Sequence, residues 1–177
     1  MNNTAHVIAR LTLVALFAAC QGPDASTSAS TNRDLVRADA WAFITESEDL
    51  FAAHRPPQVD CGGAGYFVEE GILEIDTGRC NYFAASQPLG HDLNLTDTLV
   101  LTVYHDHLFS ADGGFGHLAL SIADDILWQI DIPIPSESRL FTEHIPVSRF
   151  YERGRPIAFH LHNHGLNHWR LVRLAVQ

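Results

Sequence analysis

The chain of 177 residues has no lysine, one methionine and three cysteines, and its most apolar stretch, LTLVALFAA (11–19), is only nine residues long. A helix that stays in a bilayer needs about 20 apolar residues, so no membrane span is expected. All 11 cationic side chains are arginines, set against 21 acids, for a formal net charge of −10. A chain this poor in basic surface is excluded as a partner of nucleic acid, whose phosphates demand it. Catalytic signatures are missing too. There is no Gly-x-Ser-x-Gly elbow, no glycine loop to cradle a phosphate and no Cys-x-x-Cys. The acid pairs Glu69–Glu70 and Asp124–Asp125 are adjacent in sequence, so their carboxylates point apart rather than across a cleft as glycoside hydrolysis requires. An enzyme is therefore not expected, except through a metal.

The N-terminus reads as a targeting segment. Residues 1–10 are polar with one positive charge, Arg10, and the apolar stretch 11–19 follows; together they have the form of a signal peptide. The next residues, FAAC (17–20), resemble the bacterial lipobox. That resemblance implies acylation of Cys20, which becomes the first residue of the mature chain; an ordinary secretory cut near Ala19 is the alternative. Gln21, rather than Asp, follows the cysteine, and on the same resemblance this implies the outer membrane. QGPDASTSASTN (21–32) has no large apolar residue and is expected to be a disordered tether between lipid and domain. Two or more acyl chains hold a protein stably on a membrane, so the expected partner at this end is the bilayer of a bacterial envelope. Loss of Arg10 leaves ten arginines against 21 acids, a formal charge of −11.

With Cys20 lipidated, Cys61 and Cys80 remain as a pair in an oxidising compartment, and a disulfide is expected. Closing a loop of roughly 20 residues contributes on the order of 3 kcal/mol on the chain-entropy account. Residues 33–59 are mixed in character; a short amphipathic pattern is broken by RPPQVD (55–60), and the segment is read as a linker that lays Trp41 or Phe51 onto the domain. From residue 60 onward, short runs rich in β-branched and aromatic residues recur every ten residues or so between Gly, Pro, Asp and Asn. The expected fold is all-β, a single antiparallel β-sandwich of jelly-roll type over 60–177, after a signal peptide (1–19) and a lipidated cysteine with tether and linker (20–59).

Alternation assigns faces. Leu99, Leu101 and Val103 share one, and Leu118, Leu120 and Ile122 share one from which His117 and Ser121 point away. A hairpin turn at 123–125 is followed by Ile126, Trp128, Ile130 and Ile132 as an expected buried row. FHLHNHGLNHW (159–169) holds four of the chain's 11 histidines. Ile157, Phe159 and Leu161 form its apolar row, which leaves His160, His162 and His164 on the outer face, about 7 Å apart from one to the next. Two neighbours of such a row can converge on one ion but three on a flat strand cannot easily do so, so a metal site needs a third histidine from elsewhere. His105 and His107 continue the core-facing row of their strand and are out of phase. His117 and His168 are outward and complete the candidate set His160, His162, His117 and His168, suited to Zn or Cu. A solvated polar face without function is the expected reading of the row, with the metal site and an imidazole-lined saccharide surface as its alternatives.

LEIDTGRCNYFAASQPL (73–89), DTLVLTVYH (97–105) and HLHNHGLNHWRL (160–171) resemble segments of uncharacterised bacterial secreted lipoproteins with a jelly-roll domain. The last is similar to the closing hairpin of galactose-binding-like sandwiches, with Gly165 at the turn and Trp169 opening the final strand. The resemblance implies a binding or interaction module for a glycan or an envelope protein. Tyr104, Asn163, Asn167 and Trp169 are its candidate contacts, with Phe115 as a further exposed aromatic.

Overall fold

A computed structural model describes residues 32–177. The signal peptide, Cys20 and the tether as far as residue 31 lie outside the described residues. The described chain forms eleven strands: β1 (Arg33–Asp34), β2 (Ala42–Phe43), β3 (Tyr66–Glu69), β4 (Ile72–Asp76), β5 (Phe83–Pro88), β6 (Thr98–His105), β7 (Gly114–Ile122), β8 (Asp125–Ile134), β9 (Arg139–Pro146), β10 (Pro156–Asn163) and β11 (His168–Val176). One sheet runs β3-β4-β11-β6-β9, with β1 added along β11; the other runs β2-β5-β10-β7-β8. Every pairing is antiparallel. The fold is the expected all-β sandwich, and Cys61 and Cys80 are joined by a disulfide. No helix among the described residues is long and apolar enough to cross a membrane.

The core lies where alternation places it. Leu99, Leu101 and Val103 from one sheet meet Leu118, Leu120, Ile122, Ile157, Phe159 and Leu161 from the other. In β11 the register slips between Leu171 and Arg173. The extra residue resets the phase, so that Leu171, Leu174 and Val176 all face inward despite their uneven spacing. A second slip has the opposite effect. Leu120 pairs with Trp128 but Ser121 pairs with Ile126, which makes Leu127 the bulged residue of β8. Beyond the bulge Ile126 joins the face of Ser121 and is 47% exposed. The row expected to be buried therefore loses Ile126; Trp128 and Ile130 pack partly buried against the core, and Ile132 is buried.

Residues 33–59, expected to be a linker, belong instead to the sandwich. β1 pairs with the end of β11, and Leu35 donates its N–H to the Leu174 carbonyl at 3.0 Å. The buried Gln87 amide then holds Arg37 by two bonds of 2.9 Å, one to its N–H and one to its carbonyl. That clamp passes the chain from the first sheet to the edge of the second, where β2 pairs with β5. Two single-turn 3-10 helices, Glu46–Glu48 and Ala52–His54, carry it across the outer face of the five-stranded sheet. Both Trp41 and Phe51 pack down, against Phe159 and His160 respectively. This strap changes the character of the face beneath it.

Candidate functional site

The site forms where the strap crosses β5, β10 and β7. On β10, His160 is opposite Ala84 of β5 and Ala119 of β7, both small, so a gap flanks its imidazole on each side. Large side chains from the strap and from the chain entering β5 fill the space above it. Phe51 stacks on His160 with ring centroids 4.6 Å apart, Tyr82 meets its edge at 5.1 Å, and His54 meets His117 edge-on at 4.5 Å. His162 is paired directly across from His117, and its ring is 5.7 Å from that of His54. One ring nitrogen each from His54, His117 and His160 lies within 4.8 Å of the others.

This is not the solvated face expected for these histidines. His160 is only 3% exposed, and among the described residues neither of its nitrogens has a hydrogen-bond partner. Nδ1 of His54, His117 and His162 is likewise buried without one, while Nε2 of His117 lies 3.4 Å from the Gln129 side-chain oxygen. A buried polar group left unmatched costs about 1–3 kcal/mol, so the cluster stores polar capacity that the protein itself does not use. Burial and, secondarily, the neighbouring imidazoles push His160 down to about 2 and His162 down to about 4. His117 is lowered by burial and by His54. Neutral imidazole offers a lone pair, the form in which histidine binds metal.

A buried carboxylate anchors the strap. Asp49 accepts the Phe51 N–H at 2.9 Å, the Arg55 guanidinium at 2.8 Å and the Tyr82 hydroxyl at 2.5 Å. Burial first, and the Asp49 acceptor second, raise the Tyr82 phenol above its ordinary range. Tyr82 is thus a permanent donor that ties the strap to the chain entering β5.

The structure places the other candidates elsewhere. His168 is exposed on β11, in the opposite sheet, and has no route to His160. His105 faces the core, 4.9 Å from the Trp169 ring, with Nδ1 2.9 Å from the Asp106 carbonyl; His107 lies past the strand end and pairs with Glu137. His54 was missed because it belongs to the supposed linker, whose course over the sheet no periodicity reveals.

Asn163, Asn167 and Trp169 are not a contact surface. Trp169 is 1% exposed and donates its indole N–H to Asn163 Oδ1 at 3.2 Å. Asn163 Nδ2 donates to Thr77 Oγ1 at 2.9 Å, and Asn167 Oδ1 accepts the Phe109 N–H at 2.8 Å. The amides satisfy backbone groups of the β10–β11 turn, where Gly165 takes a φ of +91°. Tyr104 is half-buried on the first sheet with Arg170 over its ring, and Phe115 is on the second, so no aromatic patch joins them through Trp169.

An open cleft of about 500 Å³ adjoins the cluster, between the strap and the outer face of the five-stranded sheet. Its floor is small (Ala84, Ser86, Ser121, Ala158), its wall includes Phe51 and Leu50, the latter 40% exposed, and Glu48 and Asp124 are at its rim. His160 reaches the cleft from below.

No family model matches the chain, and no curated protein does. Among solved structures it is similar to one described as "CBM4 structure and function", at 14% identity and a TM-score of 0.38, over 63% of this chain and 83% of that one. It is also similar to an arabinose-bound α-L-arabinofuranosidase, MgGH51, at 9% identity and a TM-score of 0.40, over 81% of this chain. The match takes in 26% of that enzyme's length. Likenesses this distant carry no functional conclusion, and the fold rests on the chain's own two sheets.

Proposed function

We propose that the protein is a non-catalytic binding module of the bacterial envelope that takes a saccharide in the cleft between strap and sheet. The cleft itself carries this reading. Its volume falls in the range of small-ligand sites. Its lining also has the mixed chemistry of a sugar: Leu50, Phe51 and a floor of alanines for the apolar ring face, with Ser47, Glu48 and Asp124 to accept from hydroxyls. The expected ligand surface thus shifts from the β10–β11 turn to the outer face of the second sheet.

Calorimetric titration with a panel of neutral oligosaccharides tests it. At least one should bind, and Leu50→Ala and Asp124→Asn should each weaken it about tenfold or more. Absence of any binding tighter than about 10 mM, or indifference to both substitutions, would refute the reading. Attachment through Cys20 belongs to the same proposal and is supported by the lipobox-like FAAC. Cys20→Ala should move the protein from the membrane fraction to the soluble one, and continued sedimentation would count against the anchor.

A further inference from the structure

The cluster beneath the strap asks for something the cleft does not supply. Three imidazoles converge, one of them almost fully buried with both nitrogens unpartnered among the described residues. Carboxylates and thiols are absent from the trio, which disfavours Ca²⁺ and Mg²⁺ and suits an imidazole-seeking transition ion. We propose that His54, His117 and His160 bind one such ion, Zn²⁺ or Cu²⁺, and that the ion fastens the strap to the five-stranded sheet.

The geometry makes the coupling direct. Zinc at about 2.0–2.1 Å from three imidazole nitrogens in tetrahedral array sets those nitrogens about 3.3 Å apart. Their present mutual distances reach up to 4.8 Å, so binding requires a closure of up to about 1.5 Å. His117 and His160 are on β7 and β10, each paired on both sides and therefore fixed. His54 ends a single 3-10 turn ahead of Arg55, Pro56 and Pro57, outside both sheets, and is the ligand not held by strand pairing. Closure draws the strap inward. His162 or a water completes the coordination. The inference does not depend on the saccharide reading, since an ion and a sugar occupy different sides of His160.

The test uses the full chain, purified without an added histidine tag and stripped with chelator, then titrated separately with Zn²⁺ and Cu²⁺ by calorimetry. One ion per chain with a Kd of about 1 µM or tighter is expected from at least one metal. Binding should weaken about 100-fold in His54→Ala and in His117→Ala, and stay unchanged in His168→Ala. His54→Ala changes a half-buried strap residue and leaves both sheets intact, so a folded variant is available. The bound ion should also slow backbone hydrogen exchange across 44–55. A Kd weaker than about 0.1 mM for both metals, or equal losses in His168→Ala and His54→Ala, would overturn the proposal. Binding with no slowing of exchange would overturn the fastening role.

Discussion

Asp49→Ala should release the strap before it unfolds the sandwich. The Asp49 side chain is 1% exposed and accepts three bonds, but its partners fare differently once it is gone. Tyr82 keeps the Phe51 carbonyl at 3.0 Å, so its hydroxyl is not stranded. Arg55 is partly exposed and rehydrates, so losing this pair costs about 1 kcal/mol rather than the 3–5 kcal/mol of a fully buried one. The Phe51 N–H is left without its acceptor, at about 1–3 kcal/mol. The total is about 2–4 kcal/mol. The strap has only a two-residue strand and two single turns of its own, so this cost should appear as local opening. Native-state hydrogen exchange read by mass spectrometry should show residues 44–55 exchanging roughly 30- to 1000-fold faster, with β6, β7 and β10 changed far less. Asp49→Asn keeps an acceptor and should fall between. Unchanged exchange over 44–55 would show that Asp49 is no anchor. A uniform rise across the core strands would show that the strap is not a separate unit.

Other substitutions test the remaining assignments. Asn163→Ala strands the Trp169 indole N–H and should lower stability by about 2–4 kcal/mol in denaturant unfolding without altering saccharide affinity; the reverse pattern would make Asn163 a ligand contact. His105 is held below its ordinary value by burial, with Arg139 adding to the effect and Asp106 opposing it. Its neutral form is therefore favoured by folding: its contribution is complete above the unfolded value near 6.5 and is lost as pH falls below it, at no more than about 1.4 kcal/mol per pH unit. His105→Gln should flatten the acid side of the stability profile, and an unchanged slope would contradict the burial argument. Replacing Cys61 and Cys80 by serine opens a loop with a sequence separation of 19 and should cost about 3 kcal/mol in thermal unfolding.

What the sequence revealed and what it concealed divide along physical lines. The core rows of β6, β7 and β10 were legible because a sandwich buries alternate residues, and the disulfide because reading Cys20 as a lipidation site left two cysteines as a pair. Ile126 was not, since a single bulged residue inverts every face beyond it and leaves no mark in composition. Trp169 shares its row with Leu171, and alternation alone would have buried it; its polar neighbours drew it to the surface instead. The strap is a harder case. Its course depends on Gln87 and Asp49, contacts distant in sequence that no periodicity encodes. Yet its effect is visible in one pattern. Positions that read as polar and outward on β10 and β7, His160, His117 and Ser121, are buried in the structure. A face selected only for packing under the strap would carry apolar residues there, as the opposite face of the same strands does. Two neutral imidazoles in that position, His117 and His160, at the expense of unmatched nitrogens, mark a departure from local consistency of the kind found at working sites. The metal and the saccharide readings both start from this face because the chain covers it without making it core.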